Sequence, residues 1–143
     1  MQNHRSSLIS VMLLGIMPFV GCSGSGLPVV PVKGKITFAG GKPPAPVTIT
    51  FAPLETADAF PRIPGKAVIA EDGTYYVVTE QAGQGLIPGR YVANIECWKV
   101  APTMTAPAGV SHVPKDYRAA QELVVKSGSA AVEYNIDITT PPK

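Results

Sequence analysis

Gly89–Val100 reads GRYVANIECWKV, and its alternation sets the fold class. Tyr91, Ala93, Ile95 and Cys97 fall on one face of an extended chain, while Val92, Asn94, Glu96 and Trp98 fall on the other. That is the period-two pattern of a half-buried strand. Moving toward the N-terminus, residues 66–70 and 74–79 repeat it on either side of Glu71-Asp72-Gly73, and Asp-Gly between alternating runs is a strong hairpin signal. Before them Val47, Ile49 and Phe51 alternate with Thr48 and Thr50, and Pro53 closes that strand. Val30, Val32, Gly34, Ile36 and Phe38 alternate with Pro31, Lys33, Lys35 and Thr37, followed by the turn Ala39-Gly40-Gly41-Lys42.

Moving toward the C-terminus, residues 101–114 form a Pro/Thr/Ala segment that reads as a surface loop. Residues 115–121 (KDYRAAQ) offer the only candidate helix of the mature chain, one or two turns long. Residues 122–126 and 131–139 read as two last strands around Ser127-Gly128-Ser129. In the second, Val132, Tyr134, Ile136 and Ile138 alternate with Glu133, Asn135 and Asp137. Residues 54–65 (LETADAFPRIPG) lack a period and read as a loop, and 80–88 read as a Gly-rich polar connection. The sum is an all-β chain of about seven strands, with no helix able to cross over a parallel sheet. This predicts an antiparallel β-sandwich of Ig-like architecture, with an open barrel as the alternative.

The first residues decide where such a domain resides. Residues 1–7 carry Arg5, and 8–20 are apolar apart from Ser10, a run too short to span a bilayer and suited to a signal peptide. The run ends Val20-Gly21-Cys22, which resembles the lipobox of bacterial lipoproteins, with Phe19 where that pattern usually carries leucine. The resemblance implies that 1–21 are removed and that Cys22 becomes a diacylglycerol-modified first residue bearing acyl chains such as palmitate. Residues 22–31 then form a lipidated, Gly/Ser- and Pro-rich tether, 32–139 the domain, and 140–143 a Pro-rich tail. Fully extended, the tether reaches roughly 30 Å. Cys97 is then a lone thiol in an oxidising compartment, tolerable when buried; the competing reading is a Cys22–Cys97 disulfide in a plain secreted protein. Ser23, where enteric bacteria use Asp as an inner-membrane retention signal, favours the outer membrane.

The order of motifs adds a second resemblance. Val32–Phe38, Gly-Gly-Lys-Pro at 40–43, Val-Thr-Ile-Thr-Phe-Ala-Pro at 47–53, Ala-Glu-Asp-Gly-Thr-Tyr at 70–75, Leu-Ile-Pro-Gly-Arg-Tyr at 86–91 and Val-Pro-Lys-Asp-Tyr at 113–117 follow one another along nearly the whole mature chain. The chain resembles the small lipoproteins of planctomycete bacteria that carry a transthyretin-like, or carboxypeptidase-regulatory-like, domain. The resemblance implies a prealbumin-like sandwich outside the cytoplasm and implies no activity.

Chemistry-bearing residues are sparse. The whole chain has 12 Lys and Arg against 10 Asp and Glu, without the clustered basic residues that nucleic-acid binding requires. His112 is the one histidine of the mature chain, so no His-x-His or Cys-x-x-Cys metal spacing exists, and no cofactor is implied. Ser111 and His112, as neighbours on an extended chain, point apart and make no nucleophile–base pair; no Gly-x-Ser-x-Gly elbow is present. Glu71-Asp72 reads as a polar hairpin tip rather than a calcium or acid–base pair. The hydroxyisourate hydrolases of the transthyretin-like superfamily end in Tyr-Arg-Gly-Ser and use histidines, whereas this chain has Tyr117-Arg118-Ala119-Ala120 well before a Thr-Thr-Pro-Pro-Lys terminus. Aromatic residues Tyr75, Tyr76, Tyr91, Trp98 and Tyr117 are the candidate contact surface, and Trp98 is the candidate ligand contact. The expectation is a non-enzymatic module held to the membrane by lipid on Cys22, binding an envelope protein or serving a structural role. A carbohydrate-binding module is the alternative, and a hydrolase dependent on His112 the more distant one.

Overall fold

A computed structural model of the chain describes residues 26–57, 60–115, 117 and 122–139. These residues form strands β1 (Val32–Phe38), β2 (Val47–Thr56), β3 (Gly65–Ile69), β4 (Thr74–Thr79), β5 (Gly83–Gln84), β6 (Gly89–Val100), β7 (Val110–Ser111), β8 (Glu122–Val125), β9 (Val132–Glu133) and β10 (Ile136–Ile138). The fold is all-β. The strands join laterally in the order β10-β1-β4-β3-β2-β6-β7, with β5 beside β4, β8 beside β6 and β9 beside β1.

The alternating residues face the same way in every strand. Val32 and Ile36 of β1, Ile49 and Phe51 of β2, Val77 of β4, Tyr91 and Cys97 of β6, and Ile136 and Ile138 of β10 are all buried. All of these except Cys97 belong to one cluster with Leu123 and Val125 of β8, drawn from both ends of the strand order. The sheet must therefore curl. Phe51 on β2 and Tyr134 beside β1 have ring centroids 6.1 Å apart at an interplanar angle of 68°. Laid flat, β2 and the β9–β10 position would be separated by four inter-strand spacings, roughly 19 Å.

The sheet is mixed, which corrects the purely antiparallel expectation. β9 and β10 run parallel to β1, with Val32 opposite Val132 and Ile36 opposite Ile136. A parallel pair needs a crossover connection of about a dozen residues or more, usually but not necessarily a helix. Here the whole domain lies between β1 and β9, and supplies the connection.

Other expectations shift locally. β2 continues past Pro53 to Thr56, because a register shift between Pro53 and Glu55 absorbs the proline, which has no N–H to donate. The predicted strand over 131–139 breaks at Tyr134-Asn135 into β9 and β10; there the Asn135 side-chain oxygen accepts the Lys35 N–H at 2.9 Å in place of a backbone carbonyl. The 80–88 connection contains β5 and the buried Leu86 and Ile87. Of the predicted helix over 115–121, Lys115 and Tyr117 form a 3₁₀ turn in which the Tyr117 N–H donates to the Pro114 carbonyl; Asp116 and residues 118–121 lie outside the described residues. At the end of β1, Ala39 and Gly40 both take positive φ, 49° and 74°, closing a two-residue turn between Phe38 and Gly41. That is the turn whose twist matches paired strands.

Candidate functional site

Strand direction sorts the loops into two ends. At one end lie the 80–82 turn, the 126–131 turn and the approach to β3 through Phe60, Arg62 and Ile63. At the other lie the 39–46 loop, the 70–73 hairpin and the 101–109 loop, together with the exit from β10. The chain enters at the first end, where Val30 and Leu86 exchange two backbone hydrogen bonds of 2.8 and 2.9 Å.

Trp98 sits on the outward face of β6 toward the second end, opposite Ser111 of β7. It is half-buried, because the 101–109 loop folds back over it. A Cβ built on Gly109 would lie 3.0 Å from Trp98 Cζ3, so glycine is what lets the loop close on the indole. Beyond Trp98, Val100, Met104 and Val110 stand exposed on the same projection.

The structure does not assemble the aromatic residues into one platform. Tyr75 and Tyr91 are core residues, Tyr76 points outward on β4, and β3 and β2 separate it from Trp98 on β6. Tyr91 donates to the Ile87 carbonyl at 2.8 Å. Tyr75 donates to the Tyr134 carbonyl. Burial pushes the Tyr91 and Tyr134 phenols up to about 12 and raises those of Tyr75 and Tyr117 as well. The Tyr117 hydroxyl is buried, and among the described residues it finds no hydrogen-bond partner.

Tyr134 has no place among the candidate site residues read from the sequence, yet it organises this region. Its carbonyl oxygen occupies the space where a side chain on Gly34 would stand. The signal was legible in β1, where glycine interrupts the inward-facing series Val30, Val32, Ile36, Phe38: an absent side chain in a core row marks a close backbone approach.

The polar candidates are engaged in local structure. Ser111 Oγ donates to the Cys97 carbonyl at 3.3 Å and accepts the Val113 N–H at 3.0 Å, while the His112 N–H donates to the Cys97 carbonyl at 2.8 Å. Asp72 accepts both the hydroxyl and the N–H of Thr74, at 2.6 and 3.0 Å, and the hydroxyl bond chiefly holds its carboxyl below the usual range. Asp137 is lowered in the same way, first by the Thr37 hydroxyl at 2.6 Å and then by the Gly40 N–H. Among the described residues no three His, Cys, Asp or Glu side chains converge as metal ligands. Cys97 is a buried free thiol, with Sγ 3.7 Å from the Ala45 carbonyl; burial raises its pKa, the reverse of what a reactive thiolate needs.

The described residues also line open surface hollows. One of about 370 Å³ lies between Pro43, Pro46, Ile69 and Glu71, and one of about 290 Å³ between Lys33, Lys35, Glu133 and Asn135. Cys22 and residues 1–21 lie outside the described residues. No protein family, curated protein or solved structure matches this chain.

Proposed function

We propose that the chain is a lipoprotein: residues 1–21 direct export, Cys22 carries the lipid, and the β-domain serves outside the cytoplasm as a binding or structural module of the cell envelope. The observation that carries this reading is the apolar run 8–20 closed by Gly21-Cys22, placed ten residues before the first strand. Support comes from the entry of the chain: Val30 is fixed to Leu86, so little slack separates the cysteine from the folded body. The finer architecture in this reading is a transthyretin-like sandwich whose two layers are the halves of the curled sheet. Non-catalytic service suits a surface on which Ser111 and Asp72 are committed to local turns and Cys97 is shielded.

A glycan contact through Trp98 is the second reading, favoured by an indole that keeps part of its surface open beside exposed Val100 and Val110. It predicts a shift of Trp98 fluorescence on adding envelope polysaccharide, and emission unchanged across a panel removes it. The anchored reading is tested by intact mass of the protein from the membrane fraction. The expected mass is that of residues 22–143 plus acyl chains, and the unmodified full-chain mass rejects it.

A further inference from the structure

We infer that the end of the domain carrying Phe60–Pro64, the 80–82 turn and the 126–131 turn faces the lipid surface, and that the 39–46, 70–73 and 101–109 loops face away from it. The inference rests on the anchored reading of Cys22 and adds to it an orientation and a membrane-facing surface. The occupant of that surface is the headgroup layer of the bilayer that holds the anchor.

Reach favours this orientation. Eight residue steps lead from Cys22 to Val30, and fully extended they span roughly 28 Å. Val30 bridges Leu86, two residues past β5, and Gly83 of β5 pairs with Thr79 at the near end of β4. Thr79 pairs with Gly65, Gly65 with Phe51, and Phe51 with Ala93. From Ala93, β6 climbs seven more residues to Val100, roughly 23 Å. The 101–109 loop then projects beyond that point. The Val125 end of β8, opposite Gly89, lies on the other side of Ala93, toward the anchor. The tether therefore brings the near end to the bilayer without strain and would have to run the length of the domain to deliver the far end.

Charge favours the same orientation. Arg62 and Lys126 stand exposed on the near loops, and neither has an ion-pair partner among the described residues. Near Arg62, Phe60 and Ile63 are half-buried and Pro61 is exposed, a composition whose apolar body and cationic tip suit a headgroup layer. The far end carries Glu71 and Asp72 on the hairpin and Asp137 beside Gly40, against Lys42 and Lys99, while Glu80 at the near end is paired with Lys66. The hydrogen bonds that hold Asp72 and Asp137 in the ionised form keep those charges in place. Anionic headgroups attract the first set and repel the second.

The test uses the full, lipidated chain in vesicles of phosphatidylethanolamine and phosphatidylglycerol that carry a headgroup-attached quencher. Ser127→Cys and Met104→Cys are each labelled with a fluorophore, and the wild-type chain taken through the same labelling sets the background from Cys97. Co-flotation with the vesicles is read on the same samples. The expected result is flotation of both variants, loss of emission from the label at 127 and retained emission from the label at 104. Flotation with equal loss at both positions, or greater loss at 104, overturns the orientation while the anchor stands. Failure to float removes the anchor and the orientation together.

Discussion

At the scale of single residues, the tightest constraint is at Gly34. The Tyr134 carbonyl fills the space of its absent side chain, and the Tyr75 hydroxyl bonds that same carbonyl from the core. Gly34→Ala forces backbone against backbone, where no rotamer change relieves the overlap. We expect a loss of about 3 kcal/mol or more in urea unfolding; a change below about 0.5 kcal/mol would mean that the β9–β10 break does not press on β1 as described. The sequence carried a partial trace of this, since a glycine in a core row announces a close neighbour without naming it. Naming Tyr134 required the parallel pairing of the two chain ends, which no local pattern encodes. Leu86 was hidden for a related reason: it is held in the core by its bridge to Val30, not by any alternation of its own.

Elements with a clean period of two were the legible ones. β1, β2, β4 and β6 show the predicted alternation, because one buried face is all that alternation reports. Edges and joints were less legible. β2 extends past a proline that should end it, and the last predicted strand divides at Asn135, where a side chain replaces a ladder bond. The edge strand β8 is tied to its neighbours by Arg90, which reaches Glu122 at 2.8 Å and Glu55 at 3.2 Å. All three side chains are well exposed, so the contribution to overall stability is small and screened by salt. The pairing instead holds an edge locally. Arg90→Gln is expected to quicken amide hydrogen exchange in Leu123–Val125 with little change in Tm. Unchanged exchange there would show that hydrophobic burial of Leu123 and Val125 alone fixes the strand.

For the whole molecule, the tyrosines make stability fail at high pH. Buried Tyr91 and half-buried Tyr134 titrate near 12 in the folded state, against about 10 in an unfolded chain. A raised folded value means the folded state retains protons that the unfolded state has released. The stabilisation is therefore complete below pH about 10 and declines as pH rises toward 12. Tyrosinate absorbance should rise together with the loss of tertiary structure across that window; ionisation of these tyrosines near pH 10 in an intact fold would contradict their burial. Curl and pairing of the chain ends were beyond the sequence because both depend on contacts a hundred residues apart. The proposed lipoprotein address, in contrast, rests on the sequence alone, on the run that ends at Cys22. Detergent phase separation of membranes expressing the wild-type chain and Cys22→Ser tests it most directly. The account predicts that the wild-type protein enters the detergent phase and that Cys22→Ser remains in the aqueous phase; equal partitioning of the two would contradict it.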